Sequence, residues 1–386
     1  MKILITTETY YPVVNGVVRS LLNLKEYLIK QGHDVRVLTL SNTISSYKTE
    51  DTYYIGSLSA QKVYPDARIH NILSKTYLRE ISKWEPDVIH SQSEFSTFAI
   101  AKFLSKTIKA PLIHTYHTVY EDYTHYFAPN KKMGVKMVAV ASKKIADMCT
   151  YMIAPTKKTA GILESYNVDK DMIKIIPTGV VIPEIYDKDL RDELDLPKDK
   201  TILLYLGRLA EEKNIEEVIE FYENIDDENV LLTIVGGGPY LDKLKRFADD
   251  FSKEINFVGM VDPSEVNKYY QAADIFVTSS TSETQGLTYY EALSNGTIVL
   301  ARDDMSLDGV VKDGFNGFRY NCFGEFAYNL DKILADDKFK KDLEENARGY
   351  ALENFSVESF GKSCEDLYET AISEYDYESS FIYKRL

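Results

Sequence analysis

TILLYLGRLAEEKNIEEVIEFYENIDDENVLLTIVGGGPY, residues 201–240, decides the fold. Two apolar, β-branched-rich runs, 201–207 and 230–236, enclose a helix-length stretch. Strand, helix, strand at that spacing predicts a parallel pair joined by a crossover helix. INFVG (255–259), DIFVTSS (274–280) and TIVLA (297–301) continue the pattern, giving five strands in this half. Towards the N-terminus, KILITT (2–7), DVRVLTL (34–40), DVIHS (87–91), PLIHTY (111–116) and YMIAP (151–155) repeat it. After the first of these, Val17, Leu21, Leu24 and Leu28 share one helical face, and Gly32 ends that helix. PTGVVIPEIYDKDLRDELDLPKDK (177–200) holds three prolines and many charges and reads as an interdomain connection. The expected fold class is α/β: two doubly wound domains facing a cleft, 1–178 and 179–360. Residues 361–386 add a last helix that periodicity does not place.

Composition bounds the function. The chain has 386 residues, 44% hydrophobic and 27% charged, enough for two ordinary globular domains. No apolar run approaches the ~18 residues of a membrane-spanning helix. MKILITTETYY has one short apolar stretch before Glu8, so no secretory signal is expected. Three cysteines, Cys149, Cys322 and Cys364, lie far apart, which argues against a disulfide framework or a CxxC site. A cytoplasmic protein without a structural metal is expected. Net charge is -15, unevenly spread. Residues 1–178 carry 23 Lys and Arg against 16 Asp and Glu, and residues 179–386 carry 22 against 44. The acidic whole argues against general nucleic-acid binding; the basic first half leaves room for an anionic partner there.

Ligands of open α/β sheets bind beyond the carboxyl ends of the strands. The first such loop, TETYYPVVNGVVRS, has Gly16 as its only glycine, so a dinucleotide fingerprint is absent. Asn15-Gly16 stands directly before a helix, as either an anion or sugar site or an ordinary turn and cap. In LGRLAEEKN (206–214), Arg208 and Lys213 are two cations able to clamp a diphosphate. VGGGPY (235–240) offers either close ligand approach to backbone or a tight turn. In SETQGLTYYEALSNG (282–296), Glu283 projects from a loop, Gly286 and Leu287 begin a helix, and Glu291 lies further in. A carboxylate at 291 can accept both hydroxyls of a ribose, and amides near Gly286 can hold an anion or sugar oxygens.

Taken in order, GRLAEEKN, VGGGPY, FVGM and SETQGLTYYEALSNG resemble the retaining nucleotide-sugar glycosyltransferases of family 4, with the GT-B fold of two Rossmann-like domains. The resemblance implies that Arg208 and Lys213 neutralise the leaving diphosphate, Glu291 holds the ribose and Glu283 meets the donor sugar. It implies that residues near 257–261 face the base, and that the last helix crosses back onto the first domain. Gln285 stands where many members have Phe. SETQGLTYYEA, TETYYPVVNGV (7–17), HSQSEFS (90–96) and HTYHTVYEDY (114–123) resemble instead the branch that glycosylates diacylglycerol. An active-site histidine is thereby implied at His117, with His114 and His125 read as structural and His90 open.

The reaction this implies is hexosyl transfer with retention, from a nucleotide diphosphate sugar such as UDP-glucose to diacylglycerol. No cofactor or metal is implied: Asp303-Asp304 is not a DxD motif. KKMGVKMVAVASKKIADM (131–148) reads as a basic amphipathic helix. Lys132, Lys136 and Lys143 share a ~40° arc, with Met133, Met137, Ala141, Ile145 and Met148 opposite. The helix either meets an anionic membrane at its inner face or packs its Met stripe on its own sheet. Tyr10, Tyr11, Pro12, Val13 and Val14, and Tyr116, Tyr120, Tyr123, Tyr126 and Phe127, line a groove or fill core. The rival reactions are transfer to a glycan and epimerisation of a nucleotide sugar. A non-enzymatic sugar-nucleotide binder is the third alternative.

Overall fold

The computed structural model describes residues 1–13, 15–59, 68–70, 75–121, 128 and 130–383. The chain forms two compact units, Met1–Gly179 with Val357–Leu386, and Val180–Ser356. In the first unit the strands are β1 (Lys2–Thr6), β2 (Asp34–Leu40), β3 (Tyr47–Lys48), β4 (Thr52–Ile55), β5 (Ser57–Ser59), β6 (Arg68–His70), β7 (Val88–Ser91), β8 (Leu112–Thr115), β9 (Tyr151–Ala154) and β10 (Ile173–Ile175). Eight of them form one sheet in the order β10-β9-β8-β7-β1-β2-β4-β3. All neighbours are parallel except β3 with β4. Between strands run α1 (Gly16–Lys30), α2 (Lys75–Trp84), α3 (Ser96–Ile108), α4 (Lys131–Ala146) and α5 (Lys157–Ser165).

In the second unit, α6 (Leu190–Glu193) precedes β11 (Thr201–Leu206), β12 (Val230–Val235), β13 (Ile255–Gly259), β14 (Ile275–Thr278), β15 (Ile298–Arg302) and β16 (Gly317–Tyr320). They form a parallel sheet in the order β13-β12-β11-β14-β15-β16. Its helices are α7 (Ile215–Glu223), α8 (Leu241–Ala248), α9 (Val266–Ala272), α10 (Leu287–Ser294), α11 (Phe323–Leu334) and α12 (Asp337–Phe355). Strands such as VLLTIV are buried at every residue because helices cover both faces.

Three expectations need adjustment. The stretch 180–200 is not a free connection. The Val180 amide donates to Phe355 O at 2.8 Å, and Leu190 and Leu196 pack with Ala272. Within α1 the buried face runs through Val18, Leu21, Leu24 and Leu28 rather than Val17. The charge split changes too, because the last helix joins the first unit, as the resemblance implies. Residues 357–386 hold seven Asp and Glu against three Lys and Arg, which removes more than half of that unit's positive excess.

That tail is α13 (Val357–Tyr383). Phe360, Cys364, Leu367, Tyr368 and Ala371 join Ile3, Ile5, Leu24, Leu28 and Val88 in one core. Glu365 fixes the register: it accepts from Tyr27 Oη at 3.2 Å and meets His33 Nε2 at 2.8 Å. Gly361 lies against the Tyr27 ring, where a Cβ would come within 2.2 Å of Cδ1. Gly361→Ala should therefore lose about 1–3 kcal/mol of stability by overpacking. Urea denaturation measures it, and an unchanged midpoint would contradict this packing.

Candidate functional site

Each sheet reverses its strand order at one place, and the residues expected to act gather there. In the second unit the reversal lies between β11 and β14. A doubly wound sheet opens a crevice at the carboxyl ends of such a pair. Arg208 and Lys213 follow β11; Glu283, Gly286 and Leu287 follow β14. The two loops are tied together: Lys213 Nζ donates to Glu283 Oε1 at 2.5 Å, and Ser280 Oγ donates to the same oxygen at 2.8 Å. Ser282 Oγ donates to Glu212 O at 3.0 Å. Arg208 stands more exposed and pairs with Glu212.

Gly286 caps α10 with φ of 73°. A Cβ there would also lie 2.3 Å from the Tyr289 ring, so glycine is required twice over. Leu287 is the first residue of α10, and Glu291 lies one turn in, accepting from Tyr270 Oη at 3.3 Å. Gln285 is buried beneath this loop.

The glycines of VGGGPY act differently from the ligand-approach reading. A Cβ on Gly236 would meet Gly207 O at 1.9 Å, and one on Gly238 would meet Leu209 O at 2.2 Å. These two glycines let the β12 loop lie against the β11 loop, backbone on backbone. The Leu209 amide donates to Gly237 O at 2.9 Å across the junction. They thus set the path of the segment that carries Arg208. Beyond β13, Met260 stands exposed beside Gly259.

In the first unit the reversal lies between β7 and β1. After β1, Glu8 accepts from the Thr97 amide at 2.7 Å and from Thr97 Oγ1 at 3.1 Å, capping α3 from outside. Burial raises the Glu8 carboxyl to about 7, with Glu94 adding to the rise. Asn15 Oδ1 accepts from the Val18 amide at 2.9 Å. The cap reading of Asn15-Gly16 thus describes what Asn15 does, and Gly16 opens α1.

After β7 come Gln92 and Glu94; after β8 comes His117. His117 Nε2 donates to Gln92 Oε1 at 2.6 Å. Burial lowers His117 to about 4; Glu94 opposes the fall and His114 adds to it. The imidazole is therefore neutral at physiological pH. His114 is fully buried, edge-on to Phe98 and 3.6 Å from Glu94 Oε1. Tyr120 donates to Glu94 Oε2 at 2.7 Å, and Tyr116 bonds Ser142 within the core. Tyr11 and Val13 are exposed. His125, Val14, Tyr123, Tyr126 and Phe127 lie outside the described residues. Glu8, Gln92 and Glu94 were not singled out from sequence. Their positions just past strand ends, inside TETYYP and HSQSEFS, are the signal that finds them.

The α4 helix packs on its own unit with only part of the expected stripe: Ile145 and Met148 reach the core, whereas Met133 and Met137 do not. Its inner face is Gly134, Val138, Ser142 and Ala146. Met133, Met137 and Val140 are 43, 49 and 50% exposed, beside exposed Lys132 and Lys136. Lys143 turns to Asp147 and forms an ion pair with it, so it belongs less to the open face than its arc suggests. Among the described residues no three His, Cys, Asp or Glu side chains gather as a metal-binding group, and no helix is long and apolar enough to cross a membrane.

Comparison with known proteins agrees with this layout. Residues 14–182 match the family model described as Glycosyltransferase Family 4, and residues 187–350 match Glycosyl transferases group 1. An alpha-monoglucosyldiacylglycerol synthase of Streptococcus pneumoniae is 34% identical over 96% of this chain and 86% of its own. A protein of the same name from Acholeplasma laidlawii is 33% identical over 95% and 96%. Among solved structures, HepE of Anabaena in complex with UDP superposes with a TM-score of 0.74 at 15% identity, covering 96% of this chain and 100% of its own. Sucrose-phosphate synthase of Thermosynechococcus elongatus gives 0.74 at 20%, covering 97% and 99%. The chain belongs to glycosyltransferase family 4, with the GT-B fold, in the branch of the alpha-monoglucosyldiacylglycerol synthases.

Proposed function

We propose that this glycosyltransferase moves glucose from UDP-glucose onto 1,2-diacylglycerol with retention and without a metal ion. The observation that carries the donor half is the pairing of Lys213 with Glu283 across the strand-order reversal of the second unit. It sets a cation and a carboxylate side by side where a sheet of this kind takes its ligand. Lys213 and Arg208 stabilise the departing diphosphate, Glu283 meets sugar hydroxyls and Glu291 takes the ribose. Gly286 and Leu287 offer amides to phosphate or sugar oxygens, and Gly16 opens the corresponding helix of the first unit. The leaving phosphate takes the acceptor proton as the new glycosidic bond forms on the same face. Catalysis is then electrostatic, by groups fixed in advance. His117 serves the transfer as a neutral imidazole towards the donor sugar. Glucose, diacylglycerol and the alpha linkage are supported by the names of the two relatives. UDP-glucose itself carries an alpha linkage, so an alpha product means retention.

The acceptor is a membrane lipid, and α4 supplies a surface for it. Exposed Met133, Met137 and Val140 beside Lys132 and Lys136 suit an anionic bilayer, each lysine near the surface adding about 1 kcal/mol. The enzyme then works as a peripheral protein at the cytoplasmic face.

UDP release, assayed with UDP-sugars with and without diacylglycerol vesicles, tests the reaction. Acceptor-independent turnover, or turnover only with a glycan, would overturn it. Arg208→Ala and Lys213→Ala should each lower kcat about 10²-fold or more with the fold intact. Glu291→Ala should mainly weaken nucleotide binding. A chelator that abolished activity would refute the metal-free reading.

His117→Ala should abolish transfer while nucleotide binding survives. Near wild-type turnover would remove His117 from the reaction.

Lys132, Lys136 and Lys143 changed together to Gln should weaken cosedimentation with anionic vesicles but not with neutral ones. Lys143 should contribute least, because Asp147 already matches its charge. High salt should mimic the change, since the attraction decays over ~8 Å at physiological ionic strength. Equal binding by both proteins at low and high salt would reject α4 as the membrane face.

A further inference from the structure

A buried chain of hydrogen bonds runs from His117 to the C-terminal helix. Gln92 Oε1 meets His117 Nε2 at 2.6 Å, and Gln92 Nε2 meets His90 Nε2 at 3.1 Å. His90 Nε2 also meets Thr115 Oγ1 at 2.7 Å, and His90 Nδ1 meets Tyr368 Oη at 2.6 Å. His90, Gln92, Thr115 and Tyr368 are all buried. The chain draws on β7, β8 and α13, all in the first unit.

The distances set its direction. At 2.6 Å, nitrogen cannot face nitrogen, so the Gln92 amide oxygen faces His117 and its NH₂ faces His90. His90 Nε2 then receives two donors, the Gln92 amide and the Thr115 hydroxyl, and must be the bare nitrogen. The His90 proton sits on Nδ1 and is donated to the Tyr368 oxygen. At the other end, Gln92 accepts from His117 Nε2–H, so His117 keeps its lone pair on Nδ1.

We propose that Tyr368, His90 and Gln92 are positioning residues that fix the tautomer of His117, so that α13 sets how the imidazole presents itself to the sugar. This rests on the reading that His117 serves the transfer. Removing the Tyr368 oxygen strands a buried N–H at His90 Nδ1, which is costly. His90 relieves it by moving the proton to Nε2. A proton there repels the Gln92 NH₂, the amide turns over, and its NH₂ drives the His117 proton from Nε2 to Nδ1. The lone pair meant for the sugar is then lost. No group changes charge.

Tyr368→Phe tests this directly. Nitrogen-15 NMR of histidine-labelled protein reads the tautomer in the absence of substrates. The wild type should show His117 protonated at Nε2; Tyr368→Phe should shift that signal towards the other tautomer. Its kcat should fall roughly tenfold or more, with KM for the nucleotide sugar within about twofold. Gln92→Leu, which cuts the chain next to His117, should do the same. Tyr151→Phe severs a different tie of α13, the 2.5 Å bond to Glu374, and should leave tautomer and turnover unchanged. An unchanged His117 signal in Tyr368→Phe overturns the proposal, whatever turnover does. A shifted signal with unchanged kcat overturns it too, unless His117→Ala is also fully active. In that case it is the role of His117 in the transfer that fails, and the chain stands.

Discussion

The burial of α13 is the constraint on which the first unit depends. Phe360, Cys364, Leu367, Tyr368 and Ala371 complete the core built on β1, β7 and α1. Without them, Ile3, Ile5 and Val88 would keep only the cover that Leu21, Leu24 and Leu28 of α1 and the neighbouring strands give within this cluster. Fully burying one such side chain is worth about 1.5–3 kcal/mol, against a net stability of about 5–15 kcal/mol for a domain. The sheet of the first unit is thus finished by residues that the chain supplies only after the second unit. Polar groups follow the same path: His33, Tyr27, His90 and Tyr151 each bond to an α13 side chain.

A parallel sheet sends all its carboxyl ends one way, so within each unit the loops that hold the candidate residues emerge on one edge of that unit's own sheet. That edge collects Glu8, Gln92, Glu94 and His117 in the first unit. In the second it collects Arg208, Lys213, Glu283 and the start of α10. The loops must be held as firmly as the strands, and they are held by each other. Glu8 caps α3, Ser282 bonds the β11 loop, and the β12 loop lies on the β11 loop where only glycine fits. Much of what looks like ligand chemistry in sequence is this bracing.

Ten strands were legible because most strands of a sheet covered on both faces lie in apolar runs. β3 to β6, β10 and β16 were not singled out; length is not the reason, since β7, β8, β9 and β14 are also only four residues long. The loops of the proposed donor site were legible as motifs of fixed order, Arg208 and Lys213 before Glu283 and Glu291. In the first unit the sequence singled out His117 and Gly16 and left His90 open. Glu8, Gln92, His90 and Tyr368 are placed by pairings between residues as far apart as 90 and 368, and local pattern carries no trace of those. The open face of α4 was half legible. Its helical period gave the lysine arc. Which side met the sheet depended on small residues, Gly134, Ser142 and Ala146, that hydrophobicity alone does not mark as an inner face.

The two cations of the second unit are prepared to different degrees, and this shapes how each serves the proposed reaction. Lys213 and Glu283 are 19 and 16% exposed, in a pair that Ser280 also supports. A cation so held need not reorganise when negative charge grows beside it, which is the condition for strong electrostatic catalysis. One of its three N–H donors is spent on Glu283; two remain for phosphate oxygens. Arg208 and Glu212 are 59 and 44% exposed, and a pair that open to water holds weakly. Arg208 must exchange Glu212 for the donor and order a long side chain as it does so, at a cost of about 1–2 kcal/mol. In the proposed reaction Lys213 therefore stands ready before the nucleotide sugar arrives, whereas Arg208 would be recruited by it. On that proposal part of the binding energy of the diphosphate would go into the recruitment, and Arg208 would lend its full charge only once the diphosphate is in place to leave.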